Sequence, residues 1–201
     1  MLWLRQNIFK QFESIAARST FPVIRLCFIE SFALMLFPRL QSLMRREGMT
    51  EKFRFCWFQT YSPADKQHIA TQLSSRPWLP KDYLEFLNIT DGAILEMFVF
   101  YGIADGHPHQ IPDEDIYAEP YSTDDWFTVG NDPAGDAFVI HRSGKIATVG
   151  SDPPPDEPVP LCDSFRELIE EICCGPRYVD YFGGVPIDNE WFAHIKSKGW
   201  A

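Results

Sequence analysis

Apolar residues recur at three- and four-residue spacing from the first turn of the chain onward. Leu4, Ile8, Phe12 and Ile15 mark residues 2–17 as an amphipathic helix, with Arg5, Lys10 and Arg18 among the intervening positions. The most apolar run follows, FPVIRLCFIESFALMLF from Phe21 to Phe37. Arg25 and Glu30 interrupt it before it reaches the ~18 uninterrupted apolar residues that a spanning helix needs. It also begins too late, and lacks the small-residue cleavage site, for a secretory signal. Three readings of this region stay open: helices packed on the main domain, a helix that docks on a membrane surface or a partner, and a translation start at Met44 or Met49 that excludes it.

From about residue 50 the pattern is that of a self-sufficient domain. Ser62-Pro63-Ala64-Asp65 predicts a helix start with Pro at the first position, running to about Ser74 and burying Ile69 and Leu73. A second helix opens at Pro80, where the missing N–H costs nothing, and puts Tyr83, Phe86 and Leu87 on one face. Asp91-Gly92 ends it in a turn, and Ile94 to Tyr101 then reads as one buried strand. Residues 102–125 form a long loop holding three prolines and seven acids. Loops of that length inside a compact domain are usually functional or mobile. Three short strands follow, Trp126–Val129, Asp136–Arg142 and Lys145–Gly150, separated by turns at 131–135 and Ser143-Gly144, which predicts an antiparallel meander. The run DPPPDEPVP from Asp152 to Pro160 reads as a stiff connector. Ser164-x-x-Glu167 is a capping-box signature that turns Phe165, Leu168, Ile169 and Ile172 inward. A last short helix is expected from Asn189 to Lys196. Helices, strands and helices in that order make an α+β fold, with a central antiparallel β-sheet flanked by helices and a helical N-terminal extension.

Charge sharpens the division. Residues 1–48 hold seven Lys/Arg and three Asp/Glu, whereas residues 49–201 hold eleven and twenty-five. The chain therefore reads as a basic, apolar extension at 1–48 and an acidic domain at 49–201. A total of −10 argues against nucleic-acid binding, since phosphate contact needs clustered Lys and Arg. Five cysteines, an odd number with a vicinal pair and no CxxC, argue against a disulfide scaffold or a thiolate zinc site and suit a reducing, cytoplasmic compartment.

Candidate chemistry is sparse. His107-Pro108-His109 with Asp105, Asp113 and Asp115 can be sketched as a metal site, but a solvated polar loop explains it as well. Asp132 to Asp136 lacks the ligand spacing of an EF-hand and reads as a hairpin turn. Cys173 and Cys174 fall on a helix's apolar side, and His141 alternates with Phe138 and Ile140 along a strand. No GxSxG, Walker loop or GxGxxG is present. No catalytic residue, metal ligand or cofactor is expected. What remains is an acidic surface, which either keeps the chain soluble or docks a basic partner. The candidate contact residues are Asp113, Glu114, Asp115, Asp124, Asp125, Trp126, Asp132 and Asp136.

One ordered set of motifs resembles a known family. Leu79-Pro80-x-x-Tyr83-x-x-Phe86-Leu87 and then Asp91-Gly92 resemble the opening of the SUKH superfamily, whose fungal member is a cell-wall assembly regulator. The similarity continues through Val129-Gly130, Gly135-Asp136-x-Phe138, Gly144-Lys145-Ile146 and Asp163-Ser164-Phe165-x-x-Leu168, over roughly residues 62–175. Asp91 stands where the family commonly has Asn, and Ala93 where it has a second Gly. The resemblance implies a SUKH-like α+β fold without enzymatic activity. It gives Leu79, Pro80, Tyr83, Gly92, Gly135 and Phe165 structural roles. It also implies a protein partner: a toxin, often a nuclease, if the chain is similar to the bacterial immunity proteins, or regulatory partners if it is similar to the eukaryotic members.

Overall fold

Apolar runs bounded by turn residues become strands of one antiparallel sheet, in a computed structural model that describes residues 36–45, 58–105, 107, 109, 125–150, 158–184 and 190–201. The strands are β1 Phe58–Thr60, β2 Ala93–Leu95, β3 Phe98–Phe100, β4 Trp126–Asn131, β5 Ala137–His141, β6 Ile146–Val149 and β7 Val159–Cys162. They lie side by side in chain order, so every neighbour is a sequence neighbour. The helices are α1 Pro38–Met44, α2 Lys66–Ser75, α3 Lys81–Ile89, α4 Phe165–Glu167, α5 Tyr178–Tyr181 and α6 Glu190–Ser197, and α4 runs on as a π-helical segment, Leu168–Cys173. The fold is the expected α+β arrangement. No helix among the described residues is long and apolar enough to cross a membrane.

The register sets one face of the sheet. Phe58 pairs with Leu95, Leu95 with Phe98, Phe100 with Gly130, Gly130 with Phe138, and Ile140 with Ile146. Their aromatic rings meet the helices in a buried cluster centred on Phe165. That ring lies 5.1 Å from both Tyr83 and Phe86 and 5.8 Å from Phe100, mostly edge to face. Gly130 is required where β3 and β4 approach, because a Cβ there would run into the Val99 carbonyl and come within 3.2 Å of the Phe100 Cα. A register shift between Thr128 and Gly130 accompanies this approach. Gly92 adopts φ +83° at the turn into β2, a conformation L side chains rarely take.

Several boundaries differ from the expected ones, each for a local reason. The apolar run from 94 to 101 is two strands, not one. A tight turn at Glu96-Met97 reverses the chain, with Glu96 at φ 62°. Its buried carboxylate accepts the Met97 N–H at 2.7 Å and also faces Tyr178, so packing enforces a turn that Glu and Met do not announce. Helix α2 begins after Asp65, whose Oδ1 accepts the Gln67 N–H, and not at Pro63. Ala64 donates instead to the Leu87 carbonyl at 2.9 Å and ties the entry of α2 to α3. Strand β7 takes in Val159 and Pro160 from the expected connector. Proline is tolerated there because β7 is a sheet edge. The capping box is half as drawn: Ser164 Oγ accepts the Glu167 N–H, but Glu167 reaches back to the N–H of Asp163.

The least expected element is α1. It lies upstream of residue 49, yet Phe37, Leu40 and Leu43 are buried to within 1% exposure, and residues 37–201 cluster as one compact unit. Phe37 meets Phe86 and Phe165 edge to face at 6.2 and 6.4 Å.

Two predictions follow from this packing. Phe165→Ala and Phe37→Ala should each cost roughly 3–5 kcal/mol in urea denaturation, the range for truncating a buried aromatic; a loss under about 1 kcal/mol would show that the ring is not in the core. Burial pushes the Glu96 carboxyl up from its ordinary value. A raised carboxyl contributes stability at pH below its unfolded value and loses it as pH rises through the folded value. Glu96→Gln should therefore gain on the wild type as pH goes from about 4 to about 7, measured by denaturation at each pH; a parallel pair of profiles would refute it.

Candidate functional site

The β4–β5 turn carries the chain's best-organised polar group. Asp132 is 8% exposed, and its carboxylate gathers the turn around itself. Oδ1 accepts the N–H groups of Ala134 and Asp136, both at 2.8 Å, and Oδ2 accepts the Tyr181 hydroxyl from α5 at 2.8 Å. Asp132 N–H donates in turn to the Asp136 carbonyl, and Gly135, at φ 89°, closes the loop. Tyr181 is fixed by its neighbours, 5.3 Å from Phe98 and 5.2 Å from Phe182. Burial and the adjacent Asp132 carboxylate both raise the Tyr181 hydroxyl far above its ordinary range, so it stays a donor.

This arrangement leaves an open depression of about 540 Å³ lined by Asp132, Pro133, Ala134, Asp136, Thr148, Tyr181 and Phe182. Its lining combines two acidic residues, of which Asp132 is buried and hydrogen-bonded to Tyr181, with two aromatic rings. That chemistry suits a cationic side chain, attracted by the carboxylates and by ring faces.

Among the described residues, the sequence-predicted positions fall at two places. Asp132 and Asp136 are brought together at the depression. Asp125 and Trp126 sit at the opposite end of β4, about 20 Å or more from Asp132 at the rise of a strand. There Asp125 pairs with Arg142 at 2.8 Å, both partly exposed. Trp126 packs on Ala137, Val139, Ala147 and Val149 and faces the His141 ring at 4.7 Å. Asp113, Glu114, Asp115 and Asp124 lie outside the described residues. Tyr181 and Phe182 were missed. Their signal was the aromatic cluster YVDYFGG after Gly175-Pro176, a stretch the sequence reading passed over.

Other candidate chemistry resolves into structure. Burial pushes the Cys162 thiol up to about 12 and raises Cys173 and Cys174 well above the ordinary thiol range, which leaves all three poor nucleophiles. His107 Nδ1 accepts the His109 N–H at 3.0 Å, and the His107 ring lies 4.2 Å from that of Tyr61. Among the described residues no group of three or more His, Cys, Asp or Glu could hold a metal ion. Asp91, at the expected turn, is 3% exposed and accepts the N–H groups of Ile103 and Ala104 at 2.7 and 3.1 Å, pinning the chain that leaves β3.

These elements match a family. Residues 77–171 fit the SMI1 / KNR4 family (SUKH-1). Over this stretch the chain is similar to SUKH domains. A search of the curated proteins found no match. The SUKH match takes in α3, β2 to β7, α4 and most of the π-helical segment, and so contains Leu79, Pro80, Tyr83, Gly92, Gly135 and Phe165. Leu79, Tyr83 and Phe165 are buried at 5%, 1% and 0% exposure, while Pro80 is the N-cap of α3. The two acidic residues of the depression lie inside the SUKH match; Tyr181 and Phe182 lie beyond it.

Asp132→Ala should cost about 2–4 kcal/mol, because it leaves two backbone donors and a hydroxyl without their acceptor. Tyr181→Phe removes one hydrogen bond and should cost about 1 kcal/mol. Equal losses in thermal or chemical denaturation would mean that Asp132 does not organise the turn.

Proposed function

We propose that this chain is a non-catalytic protein-binding module that acts in the cytoplasm as an immunity protein, binding and neutralising a basic toxin. SUKH domains are generally non-catalytic and often bind partner proteins, which supports the class of function. The observation that carries the choice of a basic partner is the depression at the β4–β5 turn, lined by Asp132 and Asp136 together with Tyr181 and Phe182. The domain around it holds twenty-five acids against eleven bases, so a basic partner is drawn from a distance before it docks. A nuclease toxin fits this surface, since its own substrate is a polyanion. The acids of the 102–125 loop, Asp113, Glu114 and Asp115, extend the same attraction in this reading.

Affinity capture from cells of the source tests it, using the full chain, an Asp136→Lys/Phe182→Ala variant and an Asp113→Lys/Glu114→Lys/Asp115→Lys variant. One basic partner is expected, held less tightly as salt rises and weakened by both variants. That partner should be toxic when expressed alone and harmless beside the wild-type chain. Several partners of mixed charge, unaffected by either variant, would instead establish the regulatory scaffold of the cell-wall assembly type. Turnover of a substrate by the purified chain would replace both with an enzyme.

A further inference from the structure

Helix α1 is held as a bound peptide is held. Its N-cap residue, Phe37, offers no side-chain acceptor, and Pro38 occupies the first turn. The N–H groups of Arg39 and Leu40 donate instead to the carboxylate of Glu170, at 3.0 and 3.1 Å, from the π-helical segment 131 and 130 residues away. Glu170 is 4% exposed with α1 in place, so this acceptor and its two donors are sealed from water. The Arg39 guanidinium donates to the Glu170 carbonyl and meets Glu171 Oε1 at 3.1 Å. It lies over Gly175, where any Cβ would strike both the guanidinium and the Glu170 carbonyl.

The apolar side is equally specific. Phe37, Leu40 and Leu43, three residues apart, form one stripe of a short helix, and Phe86 of α3 and Phe165 of α4 receive the first of them. A helix laid by its apolar stripe into a groove, with its N-terminal donors and one cation matched by acids, is a recurring mode of peptide recognition. The receptor residues Phe86, Phe165, Glu170 and Glu171 belong to the SUKH match, whereas residues 37–44 precede it.

We propose that the groove between α3, α4 and the π-helical segment is a helix-binding site, of which residues 37–44 are the resident ligand. Its occupant is this chain's own segment, read through the pattern Phe37-Pro38-Arg39-Leu40-x-x-Leu43, and that segment can leave the groove and be replaced by the same sequence supplied as a peptide. This site shares no lining residue with the depression at the β4–β5 turn.

The full chain carrying Leu40→Asp and Leu43→Asp, which expels α1, is titrated with a blocked synthetic peptide of residues 36–46. The peptide should restore much of the lost Tm and, when labelled, bind with Kd below about 1 mM. Adding Glu170→Ala should weaken that binding about tenfold or more, as expected for a charge-assisted pair of hydrogen bonds. An Arg39→Ala peptide should also bind more weakly. Should the double variant fail to fold, a wild-type chain with a protease site between α1 and β1, cut after folding, is challenged with the labelled peptide, and exchange into the complex is expected. No binding in the first protein when it folds, no exchange in the second, or binding indifferent to Glu170→Ala would each overturn the proposal.

Discussion

The packing of the Phe165 ring is the contact on which the rest of the domain depends. It is fully buried and touches α1 through Phe37, α3 through Tyr83 and Phe86, and the sheet through Phe100. Three separate lengths of chain thus converge on one side chain. Its position is fixed locally by Ser164, whose hydroxyl accepts the Glu167 N–H and starts α4 one residue before the ring. A helix start of a single turn therefore sets where the helical layer meets the sheet. Because aromatic pairs prefer edge-to-face contact at these distances, the cluster resists sliding as well as separation.

A second device recurs at the edges of this core. Asp91, Asp132 and Glu170 are each buried to under 10% exposure, and each carboxylate accepts two backbone N–H groups from a segment that would otherwise be unpaired. Asp91 pins the chain leaving β3, Asp132 builds the β4–β5 turn, and Glu170 caps α1. Buried acids of this kind organise irregular backbone that neither helix nor sheet can satisfy. A count of acids reads them as surface charge. Part of the negative composition is thus structural, and the acids that remain for a partner are fewer than the total of twenty-eight suggests.

Legibility in the sequence followed the range of the forces involved. Local signals were readable: Pro80 ahead of α3, Asp91-Gly92, the meander from Trp126 to Val149, and Ser164 as an N-cap all appear close to where spacing put them. Features imposed from a distance were not. The Glu96-Met97 turn depends on contacts with Tyr178, and α1 on an acceptor 131 residues away. The π-helical segment keeps its apolar residues inward as a helix would, so periodicity could not separate the two. The candidate site was half legible. Asp132 and Asp136 stood out by spacing and charge, but their aromatic counterpart lay on a four-residue helix too short to show a period.

That division has a structural meaning for the depression. Its acidic residues come from a hairpin turn within the SUKH match, and its aromatic rings from α5 beyond the match. The two are joined by one hydrogen bond, Tyr181 to Asp132, whose acceptor is already fixed by two backbone donors. The turn is therefore built without α5, while α5 is positioned by the turn. Tyr178 and Tyr181 also pack on Phe98 of β3, with ring centroids at 6.2 and 5.3 Å, so α5 is tied to the sheet as well as to the turn. The depression therefore takes its carboxylates from the meander and its rings from a short helix packed on the same sheet.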